Sequence, residues 1–163
     1  LDLREDILLP LFEAAEAELQ QARMTVVNAV EPGVLLDADV NLVREVFENL
    51  FSNALKYGRA GGQIRVAAGR KGDFVEIAFR NDGPGIPADK LGTLFQKFSR
   101  VNGSKEARLQ RGTGLGLFIT RHIVEAHGGT IGAASREGEW AEFTLTLPGY
   151  KEENNESYSK ATG

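Results

Sequence analysis

Asn49, Asn53 and Lys56 stand at helical intervals within Asp39 to Tyr57, beside Glu45 and Ser52 and opposite a stripe of Leu42, Val43, Val46, Phe47, Leu50, Phe51 and Ala54. Such a helix buries one face and offers amides on the other. Asparagine is a poor helix former, so two of them one turn apart carry a local cost where Glu or Lys would normally cover a solvated face. That cost suggests a ligand-binding task. Taken alone, the pair fits a hydrogen-bonded surface about equally well.

Two glycine clusters add to it. Asn81-Asp82-Gly83-Pro84-Gly85-Ile86-Pro87 follows a run of strand character, and Arg111-Gly112-Thr113-Gly114-Leu115-Gly116-Leu117 runs into a helix. The first allows close backbone approach to a ligand, and the second can turn backbone N–H groups and a helix dipole toward an anion. Each alone is also compatible with a tight turn. Between them, Ser99 to Arg111 holds Arg100, Lys105, Arg108 and Arg111 with little hydrophobicity, which suits either a cationic lid over phosphates or a solvated loop. The spacing Gly-x-x-x-x-Gly-Lys-Ser/Thr of a P-loop is absent. A dinucleotide fingerprint fails as well, because Gly112, Gly114 and Gly116 are in the wrong register and follow a polar loop.

The elements that would position these residues can be read from periodicity. Asp39 is the expected N-cap and Gly58 the expected stop of the amide helix. Residues 5–23 carry Ile7, Leu11, Ala14, Ala15, Leu19 and Ala22 at helical spacing, which predicts one amphipathic helix with Pro10 in its first turns. Thr25 to Val30 and Val34 to Leu36 read as short strands around Glu31-Pro32-Gly33. Gln63 to Ala68 and Phe74 to Arg80 alternate around Arg70-Lys71-Gly72-Asp73 and predict a hairpin. Leu115 to His127, with Leu115, Ile119, Ile123 and Ala126 as its stripe, ends at Gly128-Gly129, where His127 reads as a helix-terminal structural residue. Thr130 to Ser135 and Trp140 to Leu147 form a second hairpin closed by Pro148. The expected fold is α+β, a two-layer sandwich with three main helices on one face of a mixed sheet. Residues 1–150 form its single domain and 151–163 a polar, disordered tail.

The 163 residues suffice for one core, and a formal net charge of -4 with both signs interspersed argues against nucleic-acid binding. Any phosphate must be held locally. With no cysteine there is neither a disulfide framework nor a thiolate zinc site. No apolar run approaches the ~18 residues of a membrane span, so direct membrane insertion is not expected. The chain opens on Leu1 without an initiator Met, as a piece of a larger protein would.

These residues together resemble the catalytic ATP-binding domain of sensor histidine kinases, in the gyrase, heat-shock chaperone, histidine kinase and MutL superfamily. Asn49 to Tyr57 is similar to the family's N box, Asn81 to Pro87 to its G1 box, Leu94 to Phe98 to its F box and Gly112 to Leu117 to its G2 box. The resemblance spans Leu1 to Pro148 and implies the Bergerat version of the sandwich, with ATP and Mg²⁺ as cofactors. It implies transfer of the γ-phosphoryl group to a histidine on a separate dimeric helical domain, then to a response regulator receiver domain, in a cytoplasmic and monomeric fragment. Asn53 would ligate Mg²⁺ with Asn49 beside it, Lys56 would reach the phosphates, and Tyr57 would lie against adenine. Asn81 would read the base edge with Asp82 as the adjacent alternative, and Gly83, Gly85 and Ile86 would approach the base. Phe98 belongs to the F box, and Arg100 is the lid cation for the terminal phosphate. Gly112, Thr113, Gly114, Leu115, Gly116 and Leu117 would cradle the phosphates.

The departures carry expectations of their own. Asn81 stands where the family most often has Asp, the third glycine box reads Gly138-Glu139-Trp140-Ala141-Glu142-Phe143, and the acceptor-histidine motif is absent. Three other functions compete. A gyrase- or chaperone-type ATPase would place a Glu general base where Asn49 stands, and Asn cannot take a proton from water. An anti-sigma type serine kinase and a nucleotide-sensing module without transfer are the others.

Overall fold

The structure is a computed structural model and describes residues 1–96 and 115–151. The helix expected over 5–23 folds instead as three pieces: a π-helical segment Leu3–Leu8, α1 (Leu9–Ala14) and α2 (Glu16–Ala22). Pro10 supplies the reason. It has no N–H and its ring crowds the preceding turn, so the chain enters α1 through a wider turn in which Leu9 N–H donates to the carbonyl of Arg4. A second break falls at Ala15 (φ -102°, ψ 11°). Leu3, Ile7, Leu8 and Ala15 are buried and Leu11, Leu19 and Ala22 partly so, whereas Ala14 is exposed.

Strand β1 (Thr25–Asn28) does not pair with Val34 to Leu36, as a local return would require. It lies parallel to β2 (Gln63–Lys71), with Thr25 opposite Gln63, and the connection crosses through α3 (Val40–Tyr57). Val34 to Leu36 makes isolated bridges instead, Leu35 to Asp2 and Leu36 to Gly149, which seat Leu36 in the core.

Asp39 caps α3: its Oδ1 accepts from Asn41 N–H at 2.9 Å and from Leu42 N–H at 3.0 Å, an arrangement that contributes about 1 kcal/mol. Val43, Val46, Phe47, Leu50, Phe51 and Ala54 are buried, each large side chain contributing about 1.5–3 kcal/mol. Leu42, expected among them, is 39% exposed. It lies two turns before Asn49 and so shares the amide face. The helix stops at Gly58 in extended conformation (φ -73°, ψ 162°). Its glycine is required by crowding and not by a left-handed turn, since a Cβ there would collide with the Ala54 carbonyl and stand 2.5 Å from the Met24 side chain.

The hairpin of β2 and β3 (Phe74–Asp82), the short α4 (Ala88–Leu91), α5 (Gly116–Ala126), and the hairpin of β4 (Ile131–Arg136) and β5 (Trp140–Pro148) complete the described chain. The five-stranded sheet runs β1-β2-β3-β5-β4, antiparallel apart from β1 with β2. Val75, Ile77, Phe79 and Asn81 of β3 and Ala141, Phe143, Leu145 and Leu147 of β5 face the helices and are buried. Phe47 of α3 meets Phe79 with ring centroids 6.4 Å apart. On α5 the buried line is Thr120, Ile123 and Val124, with Leu115 and Ile119 half-buried and Ala126 exposed, so the expected stripe is rotated. The cause is Thr120, a polar residue that hydrogen bonds bring into the core. His127 is a helix-terminal residue as expected. Its Nδ1 donates to Ile123 O at 2.8 Å and its Nε2 accepts from Asp39 N–H at 3.3 Å, tying the end of α5 to the start of α3. Among the described residues no helix is long and apolar enough to cross a membrane.

Candidate functional site

The amide face of α3 looks toward the loop after β3 and the first turn of α5. Asn49 is half-buried and joins the two helices: Nδ2 donates to Gly116 O at 3.2 Å and to Thr120 Oγ1 at 3.3 Å, while Thr120 Oγ1 donates to Gly116 O at 2.8 Å. A Cβ at Gly116 would lie 3.8 Å from the carbon and oxygen of the Asn49 amide, an ordinary contact, so this approach does not itself require glycine. Asn53, one turn on, is half-buried. Lys56 places its ammonium 5.2 Å from the centroid of the Tyr57 ring, within the range of a cation–π contact. The far end of the amide face therefore carries a cation beside an aromatic plane.

The loop after β3 closes against the exit of α3. A Cβ at Gly83 would stand 2.6 Å from the Tyr57 carbonyl, so the loop lies against the helix end because residue 83 has no side chain. Gly85 has φ +75°, and a Cβ there would stand 2.6 Å from Ser135 Oγ and 2.8 Å from the Arg136 carbonyl. Ile86 is buried, its N–H donating to Ser135 Oγ at 2.6 Å. Asn81 continues the core-facing alternation of β3 and is only 6% exposed, with Nδ2 donating to Asp82 O at 3.3 Å. Asp82 is engaged structurally, its Oδ2 accepting from Gln63 N–H at 2.8 Å at the start of β2.

Arg59 and Ser135 are participants that the sequence did not reveal. The Arg59 guanidinium donates to the carbonyls of Gly83 and Gly138, and the Arg59 backbone N–H donates to Asp82 O at 2.8 Å. The turn at Gly138 also touches the loop, donating its N–H to Pro84 O at 2.8 Å. The segment in place of a third glycine box is thus a brace for the first. No spacing signal marks Arg59 or Ser135, because both act on backbone groups brought near by the sheet register.

Leu94 is buried, and Phe95 meets Phe143 edge-on with centroids 6.1 Å apart, which anchors the start of the F-box stretch. Leu115 and Leu117 are half-buried at the entry to α5. Phe98, Arg100, Gly112, Thr113 and Gly114, with the lid expected over 99–111 and the tail from 152 onward, lie outside the described residues. A separate cleft of about 820 Å³ runs between α1–α2 and α3, lined by Leu11, Ala15, Glu18, Phe51 and Leu55, and touches the amide face at Ser52 and Lys56.

The chain superposes on the nucleotide-free catalytic domain of the histidine kinase ThkA with a TM-score of 0.76 at 27% identity, covering 91% of this chain and 93% of that one. The fold is therefore that of a histidine kinase catalytic domain: a mixed sheet with helices on one face. Residues 38–151 match the family described as histidine kinase-, DNA gyrase B-, and HSP90-like ATPase, and the chain belongs to that family. It is 35% identical over 136 residues to the sensor histidine kinase WalK of Bacillus subtilis, covering 82% of this chain and 22% of WalK. It is 36% identical over 152 residues to the adaptive-response sensory kinase SasA of Synechococcus elongatus, covering 91% of this chain and 37% of SasA. The chain thus spans a minor part of these relatives.

Proposed function

We propose that the chain binds Mg-ATP between the amide face of α3, the loop Asn81 to Ile86 and the entry to α5, and donates the γ-phosphoryl group to a histidine on a separate helical domain. The observation that carries this reading is the convergence of three segments distant in sequence. Asn49 joins α3 to Gly116, and Gly83 lies against the Tyr57 carbonyl, so the amides, the cation–aromatic pair and the glycine loop border one region. Asn81 reads the base from its buried position, and Tyr57 offers the base its ring. Asp82 is the weaker candidate because its carboxylate already holds Gln63 N–H.

The donor set fits a magnesium ion that arrives with the nucleotide. Among the described residues no three His, Cys, Asp or Glu side chains converge, so these residues build no dedicated cage, and Mg²⁺ takes most of its oxygens from water and phosphate. Asn53 would hold it through the amide oxygen, and the ion would neutralise phosphate charge. Lys56 and the entry to α5 would position the phosphates, which is most of what phosphoryl transfer asks of a protein. Hydrolysis of the gyrase type is disfavoured, because Asn49 cannot act as a base and its nitrogen is held by α5.

Titration calorimetry with Mg-ATP, followed by incubation with γ-labelled ATP, tests this. The chain should bind nucleotide yet remain unlabelled, and an acceptor domain supplied in trans should gain acid-labile label that a receiver domain then removes. Acid-labile label on His122 or His127 would show the reading to be wrong.

A further inference from the structure

Asn49 meets α5 in a way that settles what it can offer a ligand. Its Nδ2 faces Gly116 O and Thr120 Oγ1, at 3.2 and 3.3 Å. A carbonyl oxygen can only accept, and the Thr120 hydroxyl proton is already given to Gly116 O at 2.8 Å. Both groups in front of Asn49 are therefore acceptors, and the amide must turn its nitrogen to them. The oxygen is left at the entry to α5, where a Cβ at Gly116 would lie 3.8 Å from it, and no hydrogen bond from a donor among the described residues engages it. Thr120 is 0% exposed, so its hydroxyl answers to this cluster and not to solvent.

We propose that Thr120 is a positioning residue for the nucleotide site, locking Asn49 so that its carbonyl oxygen, and not its N–H, faces the phosphate end beside Asn53. The inference rests on the nucleotide reading above and adds a selectivity to it. An amide oxygen attracts a cation or a cation's water and repels a bare phosphate oxygen, whereas an N–H would do the reverse. The site is thereby biased toward nucleotide carrying its metal. Asn49 acts as a second neutral oxygen, and α5 supplies the orientation through a hydroxyl that contacts no ligand.

Two measurements on the whole chain test it. In isotopically labelled, nucleotide-free protein the Asn49 side-chain amide protons should exchange slowly, and Thr120→Val should speed them while Thr120→Ser leaves them slow. Calorimetry with a non-hydrolysable ATP analogue, with Mg²⁺ and with chelator, should show a gain in affinity from Mg²⁺ that Thr120→Val cuts by about threefold to tenfold, the weight of one hydrogen bond. Thr120→Ser should restore that gain, and metal-free affinity should not fall in either variant. Rapid Asn49 amide exchange in the wild type, or an equal Mg²⁺ gain in wild type and Thr120→Val, would overturn the proposal. A purely packing role would lower both affinities together and leave their ratio unchanged, which also overturns it. Failure of the wild type to bind the analogue at all would remove the nucleotide reading and this inference with it.

Discussion

At the end of the site bordered by Asn81 to Ile86, the fastenings to Gly83, Pro84 and Ile86 all engage the loop's own backbone groups. Gly83 N–H donates to Glu139 O at 3.1 Å, Gly138 N–H to Pro84 O at 2.8 Å and Ile86 N–H to Ser135 Oγ at 2.6 Å, with Arg59 clamping the carbonyls of Gly83 and Gly138. At the other end, α3 and α5 meet through side chains, Asn49 to Gly116 and Thr120 in the middle and His127 to Asp39 at the margin. The contrast separates two tasks. A backbone-fastened loop tolerates few changes and holds a fixed shape for a flat base, whereas a junction built from two or three side chains can be retuned by single substitutions.

Substitutions should therefore divide by end. The largest effect is expected at Gly85, where positive φ and contact with Ser135 and Arg136 leave no room for a side chain. Gly85→Val should cost about 3 kcal/mol, seen as a lowered unfolding midpoint in denaturant, and an unchanged midpoint would mean that the loop is not fastened as described. Asn53→Ala should do the opposite, leaving stability within about 0.5 kcal/mol. Mg²⁺-dependent nucleotide affinity should fall on the order of tenfold or more, and equal affinities by calorimetry would remove Asn53 as the ligand.

Asn81→Asp sharpens the comparison from the base end. A carboxylate is acceptor-only and suits the adenine amino group, so ATP should bind roughly fivefold to tenfold more tightly and GTP more weakly. Titrating both nucleotides checks this. If neither changes, while Asp82→Ala abolishes ATP binding, base reading belongs to Asp82. The smallest effect is expected outside both ends, at Asp2. Slight burial raises its carboxyl pKa, but N–H donors from Glu5, Gly33 and Arg4 outweigh this and hold it below 3.8. A depressed folded value means stabilisation that is complete above 3.8 and lost as pH falls through the folded value. Asp2→Asn should thus lower the unfolding midpoint slightly at neutral pH, and the difference from wild type should vanish in strong acid.

Where one periodicity governs a whole element, the sequence was a sufficient guide. The α3 helix with its Asp39 cap and both hairpins follow from apolar spacing and turn residues. Periodicity was blind to events that depend on a single backbone group or a distant partner. It could not place the breaks that Pro10 and Ala15 impose on the first helix, nor the parallel partner that leaves Val34 to Leu36 with isolated bridges. Thr120 was missed for a related reason: a hydroxyl counts as surface in any hydrophobic pattern, yet here two hydrogen bonds satisfy it inside. Arg59 and Ser135 act on carbonyls and N–H groups of remote loops, and no local spacing encodes that.

The parallel pairing of β1 with β2 has a kinetic consequence. Each hairpin can close over a few residues, but Thr25 reaches Gln63 only once the intervening chain has coiled into α3 and settled on the sheet. The cost of closing that long loop falls early, and its reward in ladder hydrogen bonds comes late. Strand β1 should accordingly join the sheet after the rate-limiting step, so truncations such as Val26→Ala should accelerate unfolding while barely slowing refolding. Truncations in the β2–β3 hairpin such as Ile77→Val should slow refolding instead, and a chevron plot giving both strands the same response would place the crossover inside the folding nucleus.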